Sequence, residues 1–323
     1  MRAQQVSRRS VARTRRAGAS RTTVLLALAA NAVIAVTKLG GGLVSGSTAL
    51  LAEAAHSVAD TTNQAFLLAS IALAKREPDE DQPFGHGRER YLWTFLAAVG
   101  MFVAGAVFAV GYGVMELLKG AESEGGFLIA WITLAIALLA EGASWLRALH
   151  QTRREAREAG KPLRQYIRES RDPSVKMVLF EDSAALIGVA IAATGIGLHQ
   201  VTGRSFWDPL ASLLIGVLLI TVAVSMARDT GHLLVGAAAR PDERAAIERV
   251  IEEHTDVDQV FELLTMVLGP NALLVAARVD IADGIDADRV EQSISDVDGA
   301  IREAVPDVTE VFIDATPSRA RRQ

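Results

Sequence analysis

Ser45-Gly-Ser-Thr-Ala-Leu-Leu-Ala-Glu53-Ala-Ala-His56-Ser-Val-Ala-Asp60 is the stretch on which the reading of this chain turns. It opens an apolar run that extends to residue 74. A helix needs about 20 mostly apolar residues to cross a bilayer, and this run is long enough. Yet it carries three ionisable side chains. A charged group costs about 2.5–3.5 kcal/mol at the bilayer centre on insertion scales, so such residues usually mark a pathway or a site. His56 and Asp60 are spaced i, i+4, which sets them on one helix face about one turn apart. An imidazole and a carboxylate so placed can share one divalent cation.

Five further stretches are apolar enough to span: 23–42, 91–115, 126–146, 175–198 and 209–227. None has the alternation of a membrane β-strand. The expectation is a membrane all-α domain of six transmembrane helices. Composition agrees: of 323 residues half are hydrophobic, 22% are charged, and the mean hydropathy is +0.25. The absence of cysteine excludes disulfides, thiolate metal sites, iron–sulfur clusters and a cysteine nucleophile. The net charge of -5 hides a split. Residues 1–232 carry 24 basic and 19 acidic side chains, whereas 233–323 carry 9 and 19.

Loop charge sets the orientation. Seven arginines precede the first span, and nine basic residues lie in 147–176. The loops of the other side are assigned one each, Lys38, Lys119 and Arg204. Both termini are therefore expected in the cytoplasm. The arginine-rich start resembles a signal-peptide or mitochondrial-type leader. With no A-x-A-like cleavage site after a short apolar core, a retained first helix in a bacterial plasma membrane is the first choice.

The region 233–316 reads as a cytoplasmic α+β domain. A helix is expected over 241–254 with Pro241 at its start. Strands at 257–267 and 272–281 flank the turn Gly269-Pro270-Asn271. A helix at 286–304 and a strand at 308–314 complete an α-β-β-α-β order. The domains expected are thus a basic segment 1–22, a six-helix domain 23–232, this α+β domain, and a disordered tail 317–323.

Glu181 and Asp182 lie about two turns from the cytoplasmic end of the fifth span. If spans two and five pack together, His56, Asp60 and Asp182 converge. Helix glue is the alternative reading of intramembrane polar groups, and it suits Asn31, Ser57, Asn63, Gln64 and Ser183. Glu53 stands nearer the outer end, where it reaches water or joins the site. Glu141 has Arg147 nearby and reads as a charge partner or a boundary residue. Several carboxylates and one imidazole are compatible with Zn, Fe, Co or Mn, and zinc takes four ligands tetrahedrally. Metal binding displaces protons from such groups. An inward proton gradient then drives metal out of the cytoplasm.

The stretch 45–60 resembles the corresponding pattern of the cation diffusion facilitator family of divalent metal transporters. So do the loop Gln82-Pro-Phe-Gly-His86-Gly-Arg-Glu-Arg-Tyr91 and the run Asp208-Pro-Leu-Ala-Ser-Leu-Leu-Ile-Gly216. The resemblance covers about 23–316. It implies six helices with a metallochaperone-like cytoplasmic domain, a homodimer, alternating access, and export of a divalent cation in exchange for protons. The family's transport site takes two residues from helix two and two from helix five, each pair spaced i, i+4. His56 and Asp60 match the first pair, and Asp182 matches one member of the second. The other position holds Val178, which cannot bind metal, and so a three-ligand site is implied with water or Glu181 as the fourth. Asp79 and His86 match a second, loop site, weakened because Gln82 stands where a histidine often sits. The positions that hold zinc in the cytoplasmic domain of some members look like Arg278 and Asp314, so no zinc cluster is expected there.

No enzyme motif is found: His-Glu-x-x-His, Gly-x-Ser-x-Gly and a Walker loop are all missing. The basic stretch 147–176 lies between two spans. It suits anionic lipid and positive-inside topology better than nucleic acid. The function expected is proton-coupled export of zinc, with iron, manganese or cobalt as other cargoes. No enzymatic activity and no organic cofactor are expected. A membrane sensor or structural protein that binds metal without moving it is the alternative.

Overall fold

A computed structural model describes residues 28–74, 76–119, 126–170 and 173–316. The basic segment 1–22 and the tail 317–323 lie outside the described residues. The chain divides into two compact units, Met1–Ala72 with Trp93–Thr230, and Leu73–Leu92 with Gly231–Gln323.

The first unit is helical. Its elements are α1 (Leu28–Ser45), α2 (Thr48–Leu73), α3 (Glu89–Met101), α4 (Val107–Lys119), α5 (Phe127–Glu158), α6 (Leu163–Glu169), α7 (Pro173–Thr202) and α8 (Trp207–Val235). A π-helical turn, Phe102–Ala106, joins α3 to α4. α1, the continuous run Glu89–Lys119, α5, α7 over Val178–Thr202, and α8 are long and apolar enough to cross a membrane. α2 is long enough at 26 residues. Glu53, His56, Asp60, Asn63 and Gln64 lower its hydropathy, and it falls outside the strongly apolar set.

Small residues make the interior of this bundle. Ala49, Ala52, Ala106, Ala109, Ala130, Ala137, Ala192 and Ala211 are buried around Leu50, Ile215 and Leu219. Without a hydrophobic drive between helices in lipid, close approach through small side chains supplies the packing. Larger side chains such as Val36, Leu139 and Val217 are exposed.

Several boundaries differ from the sequence reading, and one helix is new. α5 runs on from residue 146 to Glu158 because Ala, Leu, Gln, Glu and Arg favour a helix after the apolar stretch ends. The short α6 was unforeseen, since seven residues are too few for a periodic signal.

In the second unit α9 (Pro241–Glu252) and α10 (Ala287–Ala304) pack on a sheet of order β1-β2-β3. β1 (Val257–Gly269) is antiparallel to β2 (Ala272–Ile281), which is parallel to β3 (Val308–Ala315). β2 alternates: Leu273, Val275, Ala277 and Val279 all point into the core with Ile247, Ile251, Val297 and Ile301. Pro241 opens α9, and Glu243 accepts a hydrogen bond from the Arg240 amide at 3.0 Å. Asp286 caps α10 by accepting from the Arg289 amide at 2.9 Å. The loop before α3 packs on the same unit. Tyr91 is buried in its core. A Cβ on Gly87 would stand 2.6 Å from the Leu268 carbonyl oxygen, so only glycine fits there.

Candidate metal centre

α2 begins where α8 holds it. Asp208, at the start of α8, accepts hydrogen bonds from the Ser47 hydroxyl at 2.8 Å and the Thr48 amide at 2.5 Å. A carboxylate from another helix thus caps the N-terminus of α2. Between one and three turns further along stand Glu53, His56 and Asp60.

His56 Nε2 lies 3.5 Å from Asp60 Oδ2, and both residues are buried. Among the described residues, neither ring nitrogen of His56 has a hydrogen-bond partner, and Asp60 Oδ1 has none. Gly105, in the π-helical turn, packs against the same turn of α2: a Cβ there would be 3.7 Å from Ala59 Cβ and 3.8 Å from His56 Cα. π-Turns inside helices are frequent at functional positions.

α7 faces this stretch of α2. A Cβ on Gly188 would overlap Glu53 Oε1, so a glycine is what admits the carboxylate. Asp60 lies seven residues after Glu53 and Glu181 seven before Gly188, about two turns each way. In antiparallel helices these positions meet, and Glu181 and Asp182 are both electrostatic neighbours of Asp60. Glu181 is buried, and its Oε1 has no hydrogen-bond partner among the described residues. Asp182 accepts a hydrogen bond from Ser144 of α5 at 3.1 Å. Ser183 receives one from Trp145 at 3.0 Å, the gluing role expected of it. Among the described residues no three His, Asp or Glu side chains stand together at metal-holding geometry. The structure forms the His56–Asp60 pair and sets Glu181 and Asp182 opposite it without closing the set.

Three sequence assignments change. Lys38 is not a loop residue; it lies within α1 and is fully buried. Its Nζ donates to Glu53 Oε2 at 2.8 Å and to Glu141 Oε1 at 2.5 Å. Glu53 therefore does not reach water, and Glu141 has Lys38 as its ion-pair partner. Loop counting failed here because residue 38 lies inside the expected span 23–42 itself, so its charge belongs to the helix and not to a loop.

In the loop, Asp79 Oδ2 and His86 Nε2 are 2.9 Å apart. That bond, followed by one from the Gln82 amide, holds the Asp79 carboxyl below the usual carboxylate range. His86 is buried, and its carbonyl accepts from the Glu89 amide at the start of α3. In the sheet, Arg278 pairs with Asp314 at 3.0 Å and with Glu262 at 3.2 Å. A guanidinium occupies the place between these carboxylates.

Residues 24–235 match the family model of the cation efflux transmembrane domain. The chain belongs to the cation efflux family. This is the cation diffusion facilitator family, a family of transporters, and the match together with the apolar helices makes the chain an integral membrane protein. Relatives extend over most of it. The human "Proton-coupled zinc antiporter SLC30A9, mitochondrial" is 33% identical over 294 residues, 90% of this chain and 51% of that protein. "Metal tolerance protein C4" of Arabidopsis thaliana is 32% identical over 81% of this chain and 57% of its own length. "Manganese efflux system protein MneP" of Bacillus subtilis is 24% identical over 92% of this chain and 96% of its own. The chain thus spans about half the length of the human relative.

Proposed function

We propose that this chain exports a divalent metal cation from the cytoplasm in exchange for protons. The observation that carries the reading is the buried His56–Asp60 pair, 3.5 Å apart, whose ring nitrogens have no hydrogen-bond partner among the described residues and which faces Glu181 and Asp182 on α7. His56, Asp60 and Asp182 hold the metal, and water or Glu181 is the fourth ligand. An imidazole with carboxylates suits zinc and manganese alike. The names of the human and Bacillus relatives, a zinc antiporter and a manganese efflux protein, support both cargoes. Zinc is the first choice.

A small movement of α2 against α7 brings Asp182 to the pair and closes the site. Cargo displaces protons from these groups as it binds, and protons displace cargo on the other side. The protein works as a homodimer. It lies in a bacterial plasma membrane with both termini cytoplasmic. Residues 23–232 form the transport domain, and 233–316 stabilise the dimer.

The test is the purified protein in liposomes under an imposed pH gradient, with uptake of Zn, Mn, Fe(II) and Co followed beside Asp60→Ala. Flux that needs both the gradient and Asp60 supports antiport and names the ion. Tight binding without flux favours a sensor and removes the transport reading.

A further inference from the structure

Lys38, Glu53 and Glu141 bring three helices, α1, α2 and α5, to one point inside the bundle. Lys38 and Glu53 are fully buried, and Glu141 is 8% exposed. The second oxygens, Glu53 Oε1 and Glu141 Oε2, have no hydrogen-bond partner among the described residues. This is poor glue. As ionised groups, two carboxylates against one ammonium leave a negative charge uncompensated in a low-dielectric interior, which costs more than an apolar contact of the same size.

The geometry is instead that of a cation position. Carboxylate oxygens from two helices converge on Nζ, at 2.8 and 2.5 Å, and Nζ marks where the positive charge sits. Carboxylate oxygens bind zinc and suit harder divalent ions such as Mn.

We propose that Glu53 and Glu141 form a second intramembrane cation site, and that the chain's own Lys38 ammonium fills it. Lys38 is a tethered cation. It keeps divalent cargo out of this position and confines it to His56, Asp60 and Asp182, and it thereby sets how many metal ions each protomer holds. The inference rests on the divalent-cation reading above and adds a specificity-determining residue to it.

The experiment is equilibrium dialysis of the purified full chain against Zn or Mn, with elemental analysis of the metal bound per protomer. Lys38→Met is expected to bind one ion more than the wild type. The triple variant K38M/E53Q/E141Q is expected to lose that extra ion and keep the wild-type amount. Lys38→Met that binds no more than the wild type overturns the proposal. So does a triple variant that keeps the extra ion. A folded triple variant that loses the wild-type ion would place Glu53 or Glu141 in the cargo site and overturn it too. If Lys38→Met is too unstable to purify alone, Zn or Mn during extraction must restore its folded yield. A variant that stays unfolded in saturating metal while the triple variant folds counts against the proposal. A wild-type chain that binds no metal removes the transport reading, and the difference between Lys38→Met and the triple variant still decides this one.

Discussion

Lys38 and Arg278 make the same arrangement in opposite surroundings. Each is one cation between two carboxylates from neighbouring elements: Lys38 with Glu53 and Glu141, Arg278 with Glu262 and Asp314. The Lys38 group is sealed in a helix bundle; the Arg278 side chain is 43% exposed on a sheet. On the sheet, water and salt replace any partner that is removed, and such pairs contribute about 0–1 kcal/mol. In the bundle neither water nor salt takes the place of a lost partner. Distances alone, 2.5–2.8 Å against 3.0–3.2 Å, do not reveal this difference. The His56–Asp60 pair is a third case, buried like the first but left open.

The largest expected effect lies in that open case. Asp60→Ala and Asp182→Ala should each abolish gradient-driven metal flux in liposomes while the protein still inserts and elutes as the wild type does. Full flux in both would remove these residues from the site.

Breaking the sealed group comes next. Lys38→Met strands two buried carboxylates and should cost about 3–5 kcal/mol in the absence of added metal. Thermal unfolding in detergent would read this as a large fall in midpoint. A midpoint close to the wild type would mean that water reaches the group, and the contrast with the sheet would collapse.

A smaller effect calibrates the soluble unit. Asp286→Ala removes the α10 cap and should cost about 1 kcal/mol. The same melts check it, and no shift would show that the cap is replaced by water.

The smallest effect belongs to the exposed group. Arg278→Met should move the midpoint little at neutral pH. The Arg278 hydrogen bond holds the Asp314 carboxyl below the usual carboxylate range. A depressed carboxylate stabilises the fold above its unfolded value, and this is lost as pH falls through the lowered one. The gap between wild type and Asp314→Asn should therefore shrink on acidification. A gap that widens in acid would reverse the assigned sign.

Most of the fold was legible because its signals are local. Six apolar stretches gave helices of spanning length, and the hairpin about Gly269-Pro270-Asn271 gave β1 and β2, with β2 at the expected bounds. Turn chemistry and period need no knowledge of distant residues. α6 and the extension of α5 were missed because neither carries an apolar period. The i, i+4 pair His56–Asp60 was legible for the same reason: helix geometry fixes it whatever surrounds the helix.

What the sequence by itself determined is the spanning helices and the strands, the spacing of His56 and Asp60 on α2, and the lack of a metal-binding side chain at Val178. Val178→His should shift cargo preference towards zinc, read from the same uptake assay; an unchanged profile would mean that this position faces away. What only the tertiary structure decided is which charges find each other. Lys38 and Glu141 are about a hundred residues apart, and no pattern links them. They meet because small residues let helices pack closely, and because an ionised group cut off from water must be met by another, wherever in the chain that other lies.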